Sequence, residues 1–308
     1  MRRRVHGVLA CCLLPFLVAI AACSDAGPHR SETALGDSSV TVGSFDFPES
    51  ELLAELYSQS LEAHGIDVQR RFSLGPRELV APALLQGLVE LIPEYAGTAV
   101  QYHGVASDQL TPDPESTHEH LVAALAGTDV RAMRASSAQD ANTFVVTRAT
   151  AERYGLQAIS DLERVAPRMT LAGPPECPRR AFCLAGLRDR YGLRFRDFAA
   201  LDAGGPLTRQ ALLDGVVDVA LFFSSDPTLQ DDDLVQLADD RFLQPAENVT
   251  PLVRREVLRS WDDRVPAAVD AVSDALDRDT LRDLNGEVAR GEPVRRVARQ
   301  WLAAQGLR

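Results

Sequence analysis

The sequence predicts a mixed α/β protein with two lobes and a ligand cleft between them. The chain has 308 residues, which is enough for two domains of ordinary size. It is 45% hydrophobic and 25% charged, a composition typical of a soluble globular protein. From Val40 onward, strand-like and helix-like segments alternate, which is typical of parallel sheets with helical crossovers.

The N-terminus has the pattern of an export signal. Arg2–Arg4 form a basic start, and the apolar stretch Val8–Ile20 is too short to span a membrane comfortably. A plain secretory signal is the other alternative, but the Ile-Ala-Ala-Cys that ends at Cys23 resembles the lipobox of bacterial lipoproteins. We therefore expect residues 1–22 to be removed and Cys23 to be lipidated. Residues 23–39, polar and without periodicity, would tether an extracytoplasmic protein to the cell membrane.

Two cysteines of the mature chain remain to be explained, Cys177 and Cys183, because Cys11 and Cys12 lie in the signal peptide. In an exported protein a pair this close favours a small disulfide loop. A metal site is less favoured because no histidine is near, and a redox pair normally has closer spacing.

Three strand–helix pairs open the folded part of the chain. The predicted strands are Val40–Val42, Ile66–Phe72 and Leu88–Ile92. The loops that follow them are 43–50, 74–78 and 93–98. Because parallel strands end at the same edge of a sheet, these loops should meet where open α/β sheets bind ligands.

The third of these loops carries the most chemistry. We expect Pro93 to end the strand, and Glu94–Thr98 then presents a carboxylate, a phenol and a hydroxyl. From spacing alone, a core tyrosine at Tyr95 and an ordinary helix cap at Thr98 explain the pattern at least as well.

The second lobe should begin after a crossover at 136–142, with the strand Thr143–Thr147. A buried strand, Val216–Phe223, follows later, and the chain returns near 245–253. We predict that the first lobe consists of residues 40–138 and 246–308, and that the second consists of residues 139–245.

Aromatic residues lie at or near the ends of three predicted inner strands: Tyr95, Phe144 and Phe223. Each alone is explained by the core. Three of them around one cleft would suit a quaternary ammonium, because aromatic faces attract a cation that has no hydrogen to donate.

Several classes of protein lack their characteristic features in this chain. A net charge of −12 and a pI near 5.0 give no electrostatic support to nucleic-acid binding. The sequence has no GxSxG, HExxH, P-loop or GxGxxG motif. His118 and His120 hint at a metal, but at the end of the polar segment Ser107–Glu119 and directly after it they are better explained as solvated surface. We expect no enzyme activity, no cofactor and no metal.

Several blocks, in chain order, resemble the extracellular substrate-binding proteins of glycine betaine/choline-type ABC importers. The blocks are VGSFDFPESELLAELY, LLQGLVELIPEYAGTAVQY, DANTFVVT, LLDGVVDVALFFSSD and PLVRREVL. The second is the most specific, since it is similar to a PEYTGTA segment of that family. The resemblance implies a two-lobed type II periplasmic-binding-protein fold that closes on a small ligand.

The resemblance also implies which residues bind the ligand. Tyr95 and Thr98 would contact it from the first lobe, and Phe144 and Phe223 from the second. To these we add Phe47 and Ser50, at the start of the first helix, and Glu247 in the return crossover.

The chain departs from the family pattern at four places. Ser50 replaces a glutamine, Phe144 replaces a tyrosine, and Arg209 stands where a small polar or aromatic residue is usual. The segment 245–250 lacks the tyrosines often found there. These departures leave the identity of the solute open.

We therefore expect a lipid-anchored receptor that delivers a small quaternary-ammonium or zwitterionic osmolyte to an ABC permease with its ATPase. One alternative is the same fold binding a different polar solute. The other is a sensor or adhesion lipoprotein without a transport role.

Overall fold

The fold is described from a computed structural model, for residues 39–106 and 109–308. The predicted signal peptide, Cys23 and residues 23–38 of the predicted tether lie outside the described residues. Asp37–Arg308 forms one compact unit. Within the described ranges, none of the helices combines the length and hydropathy needed to cross a bilayer.

Ten strands and eleven α-helices make up the described chain. The strands are β1 (Ser39–Gly43), β2 (Asp67–Arg71), β3 (Leu91–Tyr95), β4 (Val130–Ala132), β5 (Asn142–Thr147), β6 (Thr170–Gly173), β7 (Asp197–Ala200), β8 (Val219–Phe223), β9 (Leu234–Gln236) and β10 (Val249–Arg254). The helices are α1 (Pro48–Ala63), α2 (Arg77–Leu85), α3 (Ala96–Tyr102), α4 (Pro114–Ala124), α5 (Arg148–Tyr154), α6 (Leu184–Tyr191), α7 (Pro206–Leu213), α8 (Arg255–Ser260), α9 (Arg264–Ala275), α10 (Arg278–Ala289) and α11 (Val294–Ala304).

The strands form two five-stranded sheets, one in each lobe. The first sheet has the order β2-β1-β3-β10-β4, and the second has the order β7-β6-β8-β5-β9. The first three strands of the first sheet are parallel, as predicted. β10 is antiparallel to both of its neighbours, and β5 is antiparallel to both of its own. The predicted two-lobed α/β architecture is confirmed, but its sheets are mixed.

Pro93 does not end the third strand, contrary to our prediction. It lies in the middle of β3, directly opposite Pro251 of β10. The carbonyl of Pro251 accepts from the N–H of Met133 and therefore points away from β3, and the side on which a backbone N–H would lie points the same way. On the other side, β1 pairs with β3 only at Val42 and Leu91. A missing N–H is therefore tolerated at both prolines.

Two antiparallel segments connect the lobes. Gln139 and Asn248 form an isolated bridge, and the N–H of Asp140 donates to the carbonyl of Glu247 at 3.0 Å. The side-chain amide of Asn248 donates to the carbonyl of Ser136 at 2.8 Å. These bonds hold Asp140 and Glu247 side by side between the two sheets.

Sequence reasoning did not predict the start of α4 or the short strands β4 and β7. α4 begins inside the segment predicted as a polar insertion, with the Asp113 carboxylate accepting from the N–H of Ser116 at its start. His118 and His120 therefore lie on a helix. The edge strand β7 was not predicted, because its half-exposed residues show no continuous apolar run.

Gly97, in the first turn of α3, is packed against the return crossover. Its N–H donates to the carbonyl of Ala246 at 3.0 Å. A Cβ at Gly97 would lie 2.3 Å from Cγ of Pro245 and 2.9 Å from the Ala246 carbonyl oxygen. The backbone of α3 can approach the crossover this closely only because residue 97 has no side chain.

We expect Gly97→Ala to lower the stability of the protein by about 2 kcal/mol, because the added methyl overpacks a rigid contact. Gly286→Ala is the matched control, since there the nearest atom is the flexible end of Arg290 at 3.2 Å. Thermal unfolding of the chain from Asp37 onward compares the two. An equal effect at both positions would contradict the packing explanation.

Candidate ligand-binding site

A cavity of about 560 Å³ lies between the two lobes. All three loops predicted to meet at the sheet edge contribute to it, with Phe47, Arg77 and Tyr95 among their lining residues. The second lobe contributes Phe223 and the disulfide loop around Cys177. Such a volume is within the ~300–1,000 Å³ of pockets that hold small organic ligands.

Aromatic rings form one wall of the cavity. Phe47 stacks on Tyr95, with ring centroids 6.1 Å apart, and on Phe223, with centroids 5.6 Å apart. The ring of Phe45 also stacks on the ring of Phe47, with centroids 5.9 Å apart. Because Phe47 and Tyr95 belong to the first lobe and Phe223 ends β8 of the second, this wall is shared between the lobes.

Two residues predicted to contact the ligand do not line the cavity. Phe144 is fully buried in the core of the second lobe. Ser50 is also fully buried, and its hydroxyl accepts from the N–H of Phe45 at 2.9 Å. Asn142, the first residue of β5, lines the cavity instead of Phe144. Arg209, whose family position we had singled out, forms a surface ion pair with Asp231.

Glu49, in the first turn of α1, joins the two lobes beside the cavity. It accepts from the phenol of Tyr95 at 2.6 Å, and also from the hydroxyl of Ser225 and the side-chain amide of Asn285. Burial, followed by the nearby Glu49 carboxylate, raises the pKa of Asp140 well above its usual range. Burial also raises the pKa of Tyr95, so its phenol stays protonated and donates to Glu49.

Arg77 and Glu94 form a buried ion pair in the first-lobe wall of the cavity. Nε of Arg77 is 2.7 Å from one oxygen of Glu94, and Nη2 is 2.8 Å from the other. Burial opposes the charge of Arg77, but Glu94 more than offsets it, so the pKa of Arg77 is raised. Glu94 also accepts from the N–H of Tyr95 at 2.8 Å, and so holds the loop at the end of β3.

Glu247 lines the cavity from the return crossover and is 3% exposed. One oxygen accepts from the N–H of Thr98 at 3.0 Å, and the other accepts from the Thr98 hydroxyl. Burial raises the pKa of Glu247 to about 7, although the bonds from Thr98 work in the opposite direction. Thr98, predicted to contact the ligand, also lines the cavity, but its hydroxyl is directed to Glu247.

The Cys177–Cys183 disulfide closes a loop that lies over the cavity. Within it, Arg180 is 3.2 Å from Glu78 of α2, and Phe182 packs against the core of the first lobe. The loop therefore connects the second lobe to the first at the cavity rim. The predicted disulfide is present.

Sequence reasoning placed the loop 74–78 at the ligand edge without singling out Arg77. It did not identify Asp140, Asn142 or the disulfide loop as parts of the cavity. The signal for the loop was available, because it follows β6 at the same edge of the second sheet as β8. Asp140 gave no such signal, since its importance comes from Glu49, which is distant in sequence.

Comparison with known proteins identifies the family. Residues 38–304 match the family described as the substrate binding domain of ABC-type glycine betaine transport systems. The chain belongs to this family. It is therefore a substrate-binding receptor, and the resemblance found in the sequence is confirmed.

Two relatives of this substrate-binding domain match it over nearly their whole length. Glycine betaine-binding protein YehZ of Escherichia coli is 26% identical over 87% of this chain and 91% of its own. The glycine-betaine-binding protein of Pseudomonas aeruginosa is 26% identical over 92% of this chain and 89% of its own. A crystal structure of a glycine betaine/carnitine/choline ABC transporter shares the fold, with a TM-score of 0.69 at 22% identity, covering 87% of this chain and 99% of that one.

We expect Arg77→Met to lower the stability of this substrate-binding domain by about 3–5 kcal/mol, because it leaves Glu94 charged and unpaired in a buried place. The double variant Arg77→Met/Glu94→Gln should recover much of that loss, since no charge then remains unpaired. Urea unfolding measures both. If the double variant is less stable than Arg77→Met alone, the unpaired charge is not the cause.

Proposed function

We propose that the cavity binds a small quaternary-ammonium or zwitterionic osmolyte of the glycine betaine, choline and carnitine class. The observation that carries this proposal is the shared aromatic wall of Tyr95, Phe47 and Phe223. Aromatic faces attract a cation through their quadrupole, and the attraction is strongest where water is excluded. The names of the relatives, which include glycine betaine-binding proteins, support the same class.

The proposed mechanism is closure of the two lobes around the solute. Residues 40–138 with 246–308 would form one lobe and residues 139–245 the other, with the paired crossovers as the hinge. A solute seated against Tyr95 and Phe223 contacts both lobes, and so binds the closed form better than the open one. Phe47 would complete the aromatic wall, while Phe144 and Ser50 would support it from the core.

In the proposed cellular role, the closed receptor delivers its solute to an ABC permease driven by an ATPase. It would bind the solute without changing it chemically, as a receptor and not as an enzyme. Cys23 would carry a lipid that holds the protein at the outer face of the cell membrane.

We expect Phe223→Ala and Phe47→Ala each to weaken binding of a quaternary ammonium by about 1–2 kcal/mol, because each removes one aromatic face. Phe242→Ala is the matched control, since Phe242 is 63% exposed and does not line the cavity. Isothermal titration of the chain from Asp37 onward against glycine betaine, choline and carnitine gives the affinities. If only uncharged or anionic solutes bind, the aromatic wall has another purpose, although the family assignment stands.

The lipid anchor is tested separately. We expect Cys23→Ser to shift the full-length protein from the membrane fraction to the soluble extracytoplasmic fraction, because no thiol remains to be acylated. Cys183→Ser is the control for loss of a cysteine, and should leave fractionation unchanged. Unaltered membrane association of Cys23→Ser would show that another segment anchors the protein.

A further inference from the structure

Glu247 is a buried carboxyl in the ligand cavity that no cation neutralises directly. Among the described residues, no arginine or histidine lies in an ion pair with it. Thr98 supplies two hydrogen bonds, one to each oxygen. A carboxylate can accept about four, so roughly two positions remain for a ligand.

The charged groups around Glu247 come from three elements. Arg77 of α2 lowers the pKa of its carboxyl, and Glu94 of β3 raises it. Because these two are paired with each other, their effects on Glu247 oppose one another. In the neighbouring crossover, burial and then the Glu49 carboxylate raise the pKa of Asp140 well above its usual range, which favours its uncharged form.

The cavity offers few cations for a ligand carboxylate. Arg77 is engaged by Glu94, and Arg180 is engaged by Glu78 and Glu176. Arg179 lines the cavity and forms no ion pair within the described part of the chain, but it is exposed at the rim, where water screens its charge. The buried part of the cavity is therefore acidic in character.

We propose that Glu247 makes this cavity selective for a quaternary ammonium whose second functional group is a hydrogen-bond donor, and against one whose second group is a carboxylate. The inference rests on the proposed function, because it requires a quaternary ammonium in the cavity. Choline and glycine betaine are the discriminating pair: they share the trimethylammonium group, and choline carries a hydroxyl where glycine betaine carries a carboxylate.

The protonation of Glu247 gives the two ligands opposite pH dependences. The ionised carboxylate accepts from the hydroxyl of choline and attracts its positive charge. The ionised carboxylate repels the carboxylate of glycine betaine. Glu247 can donate a hydrogen bond to glycine betaine only when its own carboxyl is protonated. Since burial raises the pKa of Glu247 to about 7, the change falls between pH 5.5 and 8.5, where neither ligand titrates.

The experiment is isothermal titration of choline and glycine betaine at pH 5.5, 7.0 and 8.5, with the chain from Asp37 onward. We expect the ratio of choline affinity to glycine betaine affinity to rise by tenfold or more from the lowest to the highest pH, following roughly tenfold per pH unit for one linked proton. The ratio is the readout because a proton linked equally to both ligands cancels in it.

Glu247→Gln should make the ratio independent of pH and weaken choline by about 10- to 100-fold at pH 8.5, the loss expected for a hydrogen bond to a charged group. Gln keeps an oxygen for the N–H of Thr98 and an amide for its hydroxyl. Glu152→Gln is the matched control, because Glu152 is exposed on α5 and outside the cavity. It should keep the wild-type profile.

The outcomes separate this inference from the proposed function. If both ligands bind and their ratio does not change with pH in the wild-type protein, the inference fails and the proposed function stands. If neither ligand binds at any pH, the inference fails, and the carnitine titration described above decides whether the proposed function fails with it. The wild-type comparison decides the matter even where Glu247→Gln does not fold.

Discussion

The bidentate ion pair between Arg77 and Glu94 determines how the first-lobe side of the cavity is built. It joins the start of α2 to the end of β3. Since Glu94 also accepts from the N–H of Tyr95, the pair fixes where that ring enters the cavity. The pair also neutralises the positive charge of Arg77, which is then not available to a ligand. A ligand therefore meets Glu247 and the aromatic rings, and among the described residues that line the cavity it finds no buried cation without a partner.

Glu49 has the corresponding role between the lobes. Its carboxylate collects hydrogen bonds from Tyr95 in the first lobe, from Ser225 after β8 in the second, and from Asn285 in α10. Ring stacking of Phe47 on Phe223 and the ion pair between Arg180 and Glu78 add to this contact. The groups that face a ligand and the groups that hold the lobes together are therefore neighbours. This arrangement is suited to coupling ligand binding to lobe closure.

The sequence predicted the parts of this site that depend on local order along the chain. Tyr95, Thr98, Phe47 and Glu247 line the cavity because they follow strands or lie in a crossover, and both features are visible in the pattern. Phe144 does not line the cavity because β5 begins two residues earlier, at Asn142. The first residue of the strand reaches the cavity, whereas Phe144 packs in the core of the second lobe. Partnerships between distant residues, such as Glu49 with Asn285, leave no local pattern. The antiparallel insertion of β10, which allows Pro93 to sit inside β3, was hidden for the same reason.

Glu247 shows why a binding site can be less stable than a core. Its pKa is raised to about 7 from an ordinary value of 4.5, so the protonated form is favoured in the folded protein. Folding therefore becomes less favourable as the pH rises from 4.5 to about 7, and the disadvantage stays constant above that range. An apolar residue in the same place would avoid it, but would offer a ligand neither charge nor hydrogen bond. In this chain the unfavourable burial of one carboxylate is offset when a cation enters, so the instability of the empty site becomes part of its affinity.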